Sequence, residues 1–319
     1  MVLDEFDLIH RYFSRPTSTT VLGVGDDAAL VAPAAGMQLA ISADMLVEGR
    51  HFFPGADPYS LGWKSLAVNL SDMAAMGAIP RWFTLCISLP SADADWLDGF
   101  SRGLFALAEQ YGVELIGGDT TAGPLTISIQ IIGQVETGRA LCRHGAQAGD
   151  DIWLSGPTGA AALAVQHRYG NLGLDAEDLV YCTVRLDRPE PRIALGRGLL
   201  ELATAAIDIS DGLVADVGHL AGRSGLAAHL YRATLALPAL SDKALALPVF
   251  ESCLLAGGDD YELCFTASPS CRSRLMSLGE ALCLPLARVG TMLVGQGVDV
   301  LDDQGNPLSL ARAGFNHFA

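Results

Sequence analysis

The chain has 319 residues, half of them apolar and 18% charged, with a formal net charge of −16. Such a length exceeds what one hydrophobic core usually sustains, so two domains are expected, and the apolar content excludes a disordered chain. The acidic balance argues against nucleic acid and anionic membrane surfaces as partners. No apolar run approaches the ~20 residues of a membrane span, and the opening MVLDEFDLIHRYFSRP is acidic and amphipathic rather than a signal peptide. Seven cysteines without a C-x-x-C pair read as reduced thiols, which points to the cytoplasm. Only Lys64 and Lys243 are lysines, and neither lies in a glycine-rich turn. That excludes the P-loop and the strand lysine of protein kinases.

In chain order, VLGVGDDAA comes first, an apolar run broken by glycine and followed by Asp26 and Asp27. Asp57-Pro58 places an N-cap before an N1 proline, and Trp63, Leu66, Ala67, Leu70, Met73 and Ala74 recur at helical spacing. This predicts a helix over 58–76 with Asp72 near its end. Trp96, Gly99, Phe100, Gly103, Leu104, Leu107 and Tyr111 predict a second helix, VELIG a short buried strand and LTISIQIIGQV a longer alternating one. The polar, glycine-containing stretch Arg143–Asp151 is the expected boundary, dividing 1–145 from 146–319. Beyond it, DIWLSG reads as a strand, PTGAAALAVQHRYG and RPEPRIALGRGLLELA as helices, AAIDIS as a strand and GLVADVGHLAGRSG as a helix. LAAHLYRA, YELCFTA and a terminal hairpin GVDVLDDQGNPLSL complete the chain.

Six acidic sites share one local grammar, an apolar run, a small residue and then a carboxylate. They are Asp26-Asp27, Asp44, Asp72, Asp119, Asp208 with Asp211, and Asp259-Asp260 with Glu262. Strand ends bordered by glycine or serine are where such folds place ligands, because the backbone there can approach closely. Gathered together, carboxylates repel by ~1 kcal/mol per pair at 4 Å in water and ~4 kcal/mol in a partly buried site. Hard oxygen donors of this kind select magnesium, which bridges phosphates. The histidines lack H-x-x-x-H spacing, and no calcium loop is present. Carboxylates beside glycine-rich turns therefore point to phosphoryl transfer. The pairs Gly117-Gly118 and Gly257-Gly258 would let the backbone approach phosphates or would simply form tight turns. His51 is either an anion contact or a loop histidine. Arg143 is a phosphate clamp or a solvated arginine, and Phe315 stacks on a ring or caps a core.

Taken together and in order, VGDDAA, ISADMLVEGRHF, NLSDMAAMGA, LIGGDTT, IDISDGL, AGGDDYELCF and GFNHF resemble the thiamine-monophosphate kinase family over nearly the whole chain. The resemblance implies the wider superfamily of aminoimidazole ribonucleotide synthetase, and with it an α+β (mixed α/β) fold of two domains. The N-terminal strand/helix domain would bind metal and ATP and pair in a homodimer, and the C-terminal domain would be α+β. It further implies Asp27, Ser42, Ala43, Asp44, Asp72, Asp119, Asp208 and Asp211 as ligands of several magnesium ions. Gly118, Asp119, Arg143 and Ser210 would touch ATP, while His51, Asp259 and Phe315 would touch thiamine monophosphate. Asp44, Asp72, Asp119 and Asp211 would carry catalysis. The family usually has Thr at the position of Ala43, so contact there would come from the main chain. It usually has Glu at the position of Asp259, which shortens that reach by one methylene.

The implied reaction is transfer of a phosphoryl group from ATP to thiamine monophosphate. Another ATP-dependent enzyme of the superfamily and a non-enzymatic nucleotide sensor are the alternatives. Selenophosphate synthesis fits poorly, because the first cysteine is Cys86, far from the N-terminus.

Overall fold

The computed structural model describes residues 5–315, so the end of the GFNHF motif, 316–318, lies outside the described residues. The chain divides into two compact units, Met1–Met73 with Ala78–Arg139, and Ala74–Gly77 with Ala140–Ala319.

The first unit runs α1 (Glu5–Leu8), a π-helical turn (Ile9–Phe13), β1 (Met37–Val47), α2 (Pro58–Ala75), β2 (Ile79–Leu89), α3 (Ala94–Tyr111), β3 (Glu114–Ala122) and β4 (Thr126–Glu136). Its sheet has the order β1-β4-β2-β3. Strand β4 is antiparallel to β1 and β2, and β3 is parallel to β2. As expected, Asp57 caps α2, its carboxylate accepting the Ser60 N–H at 2.9 Å. Asp93 caps α3, and Gly112, at φ 63°, ends it in the left-handed region. The helical stripes Leu66–Leu70–Met73 and Phe100–Leu104–Leu107 are buried with Trp82, Phe83, Ile127, Ile129 and Ile131 of the sheet. Helices α2 and α3 touch through glycine: a Cβ on Gly103 would stand 1.9 Å from the Tyr59 carbonyl oxygen, and one on Gly62 2.0 Å from that of Phe100.

One expectation changes in this unit. The predicted strand VELIG does not stop at the glycine pair but continues through it to Ala122. The register shifts between Phe83 and Thr84, leaving Ile116 as an extra residue on β3. Gly118, at φ 149°, lies so close to β2 that a Cβ would meet Leu85 O at 1.8 Å. Strand proximity rather than a turn requires glycine there.

The second unit contains β5 (Asp151–Leu154), α4 (Ala160–Arg168), α5 (Ala176–Asp187), α6 (Ile193–Gly198), β6 (Ala205–Asp208), α7 (Leu213–Ser224), β7 (Ala227–Tyr231), α8 (Asp242–Leu245), α9 (Phe250–Ala256), β8 (Leu263–Ala267), α10 (Arg272–Leu282), β9 (Ala287–Leu293) and β10 (Gly297–Leu301). The sheet order is β10-β7-β9-β5-β8-β6, antiparallel except for the β10–β7 pair. Ile152, Leu154, Ile207, Leu213, Leu220, Leu254 and Val289 belong to its core. Helix α6 is much shorter than the predicted one, since Pro189 and Pro191 deny the start of that segment two N–H donors. The return arm of the terminal hairpin reduces to a bridge between Leu301 and Pro307. Helix α5 was not anticipated, because its buried stripe is only Asp178, Cys182 and Leu186. Among the described residues, no helix is long and apolar enough to cross a membrane.

Substituting Gly103→Ala should destabilise the protein by roughly 1–3 kcal/mol in urea unfolding, because the new methyl group overlaps a fixed backbone carbonyl. Gly222→Ala, whose Cβ would meet nothing within 4 Å in α7, should instead be neutral or stabilising by up to about 1 kcal/mol.

Candidate active site

In the first unit, alternation along β1 directs Ser42 and Asp44 to one side and Ile41, Ala43 and Met45 to the other. The Ser42 hydroxyl donates to Asp72 Oδ2 at 2.6 Å, and Asn69 Oδ1 accepts the Asp44 N–H at 3.1 Å. Asn69 and Asp72 lie three residues apart on one face of α2, so Ser42, Asp44 and Asp72 are brought together. Asn69, in turn fixed by donation to Ser65 O at 3.0 Å, is the member that motif reading missed. Its spacing from Asp72 was the available signal.

Asp119 stands elsewhere on the same sheet. The register links Met45 to Ser128, Ser128 to Cys86, and Cys86 to Asp119, so Asp119 shares a row with exposed Cys86 and Met45. Asp44 occupies the neighbouring row, with Ile129, Leu85 and Gly118. Three strand spacings of ~4.8 Å separate the two aspartates, roughly 14 Å. Asp27 is exposed on a loop closed by the Leu22–Leu30 bridge. His51 closes the turn after β1: its N–H donates to Val47 O at 3.0 Å, and its Nδ1 accepts the Val47 N–H at 3.0 Å. The acceptor role of Nδ1 puts the proton of the neutral ring on Nε2.

In the second unit, β6 ends at Asp208, and the segment Ile209–Gly212 leads into α7. Asp216 fixes this segment, its Oδ2 accepting the N–H groups of Ser210 at 3.1 Å, Asp211 at 3.1 Å and Gly212 at 3.0 Å. Burial, helped by the adjacent Asp211 charge, nevertheless pushes the Asp216 carboxyl up to about 7 against those three donors. The irregular stretch 257–262 runs alongside, with Asp259 N–H donating to Ser210 O at 2.9 Å and Tyr261 N–H to Ile209 O at 2.8 Å. A Cβ on Gly258 would stand 2.3 Å from Ser210 O. Asp259 and Tyr261 both have positive φ, 69° and 52°, and the Tyr261 hydroxyl donates to Asp259 Oδ1 at 3.0 Å. Left-handed backbone at two non-glycine residues is strain held by its surroundings. The Phe315 N–H donates to Asp211 O at 2.9 Å. Ser210, Asp211, Asp259 and Phe315 are thus gathered on one short segment, whereas Arg143 is exposed and its carbonyl accepts from Ser224 Oγ at 3.4 Å.

Behind this segment Glu262 is buried. Its carboxylate accepts from Arg192 Nη2 at 2.5 Å and Nε at 2.8 Å, and from the Ser155 hydroxyl. Asp260 accepts the Gly159 N–H at 2.9 Å ahead of α4, and burial raises its carboxyl well above the ordinary range. Among the described residues, Asp211, Asp216 and His219 offer ligand atoms within 4.8 Å of one another. Asp216 and His219 were not foreseen.

Carboxylates and close-approach glycines on a two-unit α+β frame define a class, and residues 25–135 match the family model for AIR synthase related protein, N-terminal domain. The chain is 46% identical over its whole length to thiamine-monophosphate kinase of Escherichia coli O157:H7, spanning 99% of that protein. It is 47% identical to the solved thiamine-monophosphate kinase of Stenotrophomonas maltophilia K279a, with TM-score 0.87 over 97% of this chain and 99% of that one. A structure of AaThiL complexed with AMPPCP and TMP matches at 30% identity and TM-score 0.76 over 92% of each chain. The chain belongs to the thiamine-monophosphate kinase family.

Arg192 and Glu262 expose only 14% and 6% of their side chains. Arg192→Ala should cost roughly 3–5 kcal/mol in urea unfolding, since it strands a buried carboxylate. A loss below ~1 kcal/mol would mean that Glu262 is rehydrated or repaired.

Proposed function

We propose that this chain transfers the γ-phosphoryl group of ATP to thiamine monophosphate, giving thiamine diphosphate and ADP, in the cytoplasm. The observation that carries the reading is the gathering of Ser210, Asp211, Asp259 and Phe315 on one pinned segment, in a chain with the family's full-length sequence. Two domains are assigned, 1–145 and 146–319, the first for metal, ATP and dimerisation.

The donor sets fit magnesium. Ser42, Asp44 and Asp72 offer hydroxyl and carboxylate oxygens, the hard donors that magnesium prefers. Asp27, Ser42, the Ala43 main chain, Asp44, Asp72, Asp119, Asp208 and Asp211 would hold several ions. Bound magnesium would supply charge neutralisation on phosphate oxygens.

Gly118 would present main chain to the nucleotide where neighbouring backbone leaves no room for a side chain, Ser210 would touch it from the segment ahead of α7, and Arg143 offers an exposed guanidinium to its phosphates. His51 can donate from Nε2 to the anionic acceptor, while Asp259, locked by Tyr261, and Phe315 address its thiamine part. A phosphate monoester has its second pKa near ~6. At neutral pH the attacking oxygen is therefore already ionised and needs no general base. Positioning for in-line attack is the protein's task.

The open face of the first unit's sheet supports a homodimer. Leu39, Ile41 and Met45 of edge strand β1 are 41%, 58% and 56% exposed, an apolar row of the kind that pairs with a second copy. Ile41→Glu should shift the protein to monomer in sedimentation, and an unshifted dimer would place the interface elsewhere.

Mixing protein, Mg-ATP and thiamine monophosphate should yield thiamine diphosphate by mass spectrometry, and excess chelator should abolish it. Tight ATP binding without product or ADP would favour a sensor. Asp44→Asn and Asp119→Asn should each lose turnover by orders of magnitude while remaining folded. His51→Ala should mainly raise KM for thiamine monophosphate.

A further inference from the structure

Glu114 opens β3 and is bonded to a segment almost a hundred residues earlier. Its Oε1 accepts the Ser18 N–H at 2.6 Å, the Ser18 hydroxyl at 2.9 Å and the Thr19 N–H at 2.9 Å. Its Oε2 accepts the Thr19 hydroxyl at 3.0 Å and the Thr20 hydroxyl at 2.6 Å. One carboxylate thus orients three consecutive residues. Immediately after them, Val21 and Leu22 N–H groups both donate to Leu30 O, at 2.9 and 3.1 Å, and close the loop that carries Gly25, Asp26 and Asp27. Burial does little to place this loop, because Val21, Leu22 and Leu30 are 68%, 37% and 56% exposed. Partial burial raises the Glu114 pKa, but the bonds from Thr20, Ser18 and Thr19 outweigh it and hold the carboxyl at about 2. The clamp therefore stays ionised at any pH near neutrality.

We propose that Glu114 is a positioning residue for the Asp26–Asp27 loop, fixing its base to the strand that carries Asp119. The proposal rests on the reading above that Asp27 is a magnesium ligand. Outer groups that orient metal ligands typically contribute 10–100-fold in metal affinity. Here the oriented unit is a loop rather than a single side chain, so the lower end of that range is expected.

The test is Mn2+ binding to the full-length protein, read as the free-ion spin-resonance signal, together with the magnesium dependence of turnover. Glu114→Ala should weaken Mn2+ affinity about tenfold and raise half-activating magnesium in parallel, with kcat at saturating magnesium near wild type. Glu114→Gln, which keeps one acceptor oxygen for Ser18 and Thr19, should fall between. Asp27→Asn should weaken affinity on its own, and Glu114→Ala should add nothing on that background. Wild-type affinity in Glu114→Ala beside a weakened Asp27→Asn would overturn the proposal and leave the ligand reading standing. Wild-type affinity in Asp27→Asn would remove the ligand reading and the proposal with it. Full additivity in the double variant would mean that Glu114 does not act through Asp27. Should Glu114→Ala fail to fold, amide exchange in the wild type decides: magnesium should slow exchange at Ser18 and Thr19, and an unchanged rate there overturns the proposal.

Discussion

Carboxylates that accept main-chain N–H groups are the interaction on which both units depend. With 36 aspartates and glutamates against 20 lysines and arginines, this acidic chain cannot pair every acid with a cation. It turns instead to its own backbone. Glu114 takes two N–H groups and three hydroxyls from Ser18–Thr20. Asp216 takes three N–H groups from Ser210–Gly212, and Asp260 takes that of Gly159. Glu114 and Asp216 lie outside the proposed ligand set, and the segment each holds, or the loop that follows it, carries a member of that set. Main-chain donors of this kind cost no side-chain entropy on the donor side.

Backbone also approaches backbone closely beside several of the candidate residues. Gly258 lies against Ser210 O, Gly212 against Ala256, and Gly118 against Leu85 O. Close approach excludes side chains and leaves main-chain groups at the surface of the site, which suits phosphate recognition. Asp259 and Tyr261 adopt positive φ beside them. The buried Glu262–Arg192 pair is anchored one residue beyond Tyr261, so breaking the ion pair would remove support from a turn already under strain. Stability of the second unit and the shape of its site therefore rest on the same contacts.

The long periodic elements were legible in the sequence. Asp57-Pro58 and the apolar stripe that follows specify α2, and the alternation of LTISIQIIGQV specifies β4, because both signals are local. The motif reading also placed Ser210, Asp211 and Asp259 on segments that do meet. Asp72 lies near the end of α2, as the helical spacing predicted, and the expectation of strand ends holds for Asp208 but not for Asp44 or Asp119. Asp44 lies in the middle of β1 and Asp119 within β3. A strand can continue through Gly117-Gly118 only because β2 lies alongside, and that is tertiary information. Glu114 was invisible for the same reason: its partners are 94 to 96 positions away, and nothing in VELIG marks its first acid as different from a solvated one.

Geometry in the first unit also limits what a single ion can do. Magnesium binds oxygen at about 2.1 Å, so two carboxylates sharing one ion must bring their oxygens within roughly 4 Å. Ser42 and Asp72 already meet at 2.6 Å, with Asp44 on the same side of β1. Asp119, three strands away at roughly 14 Å, lies on the row that holds exposed Met45 and Cys86. Asp44 and Asp119 of one chain therefore cannot close on a common ion without dismantling the sheet. If both hold magnesium, Asp44 and Asp119 would hold different ions, each supplying charge neutralisation at its own place on the sheet.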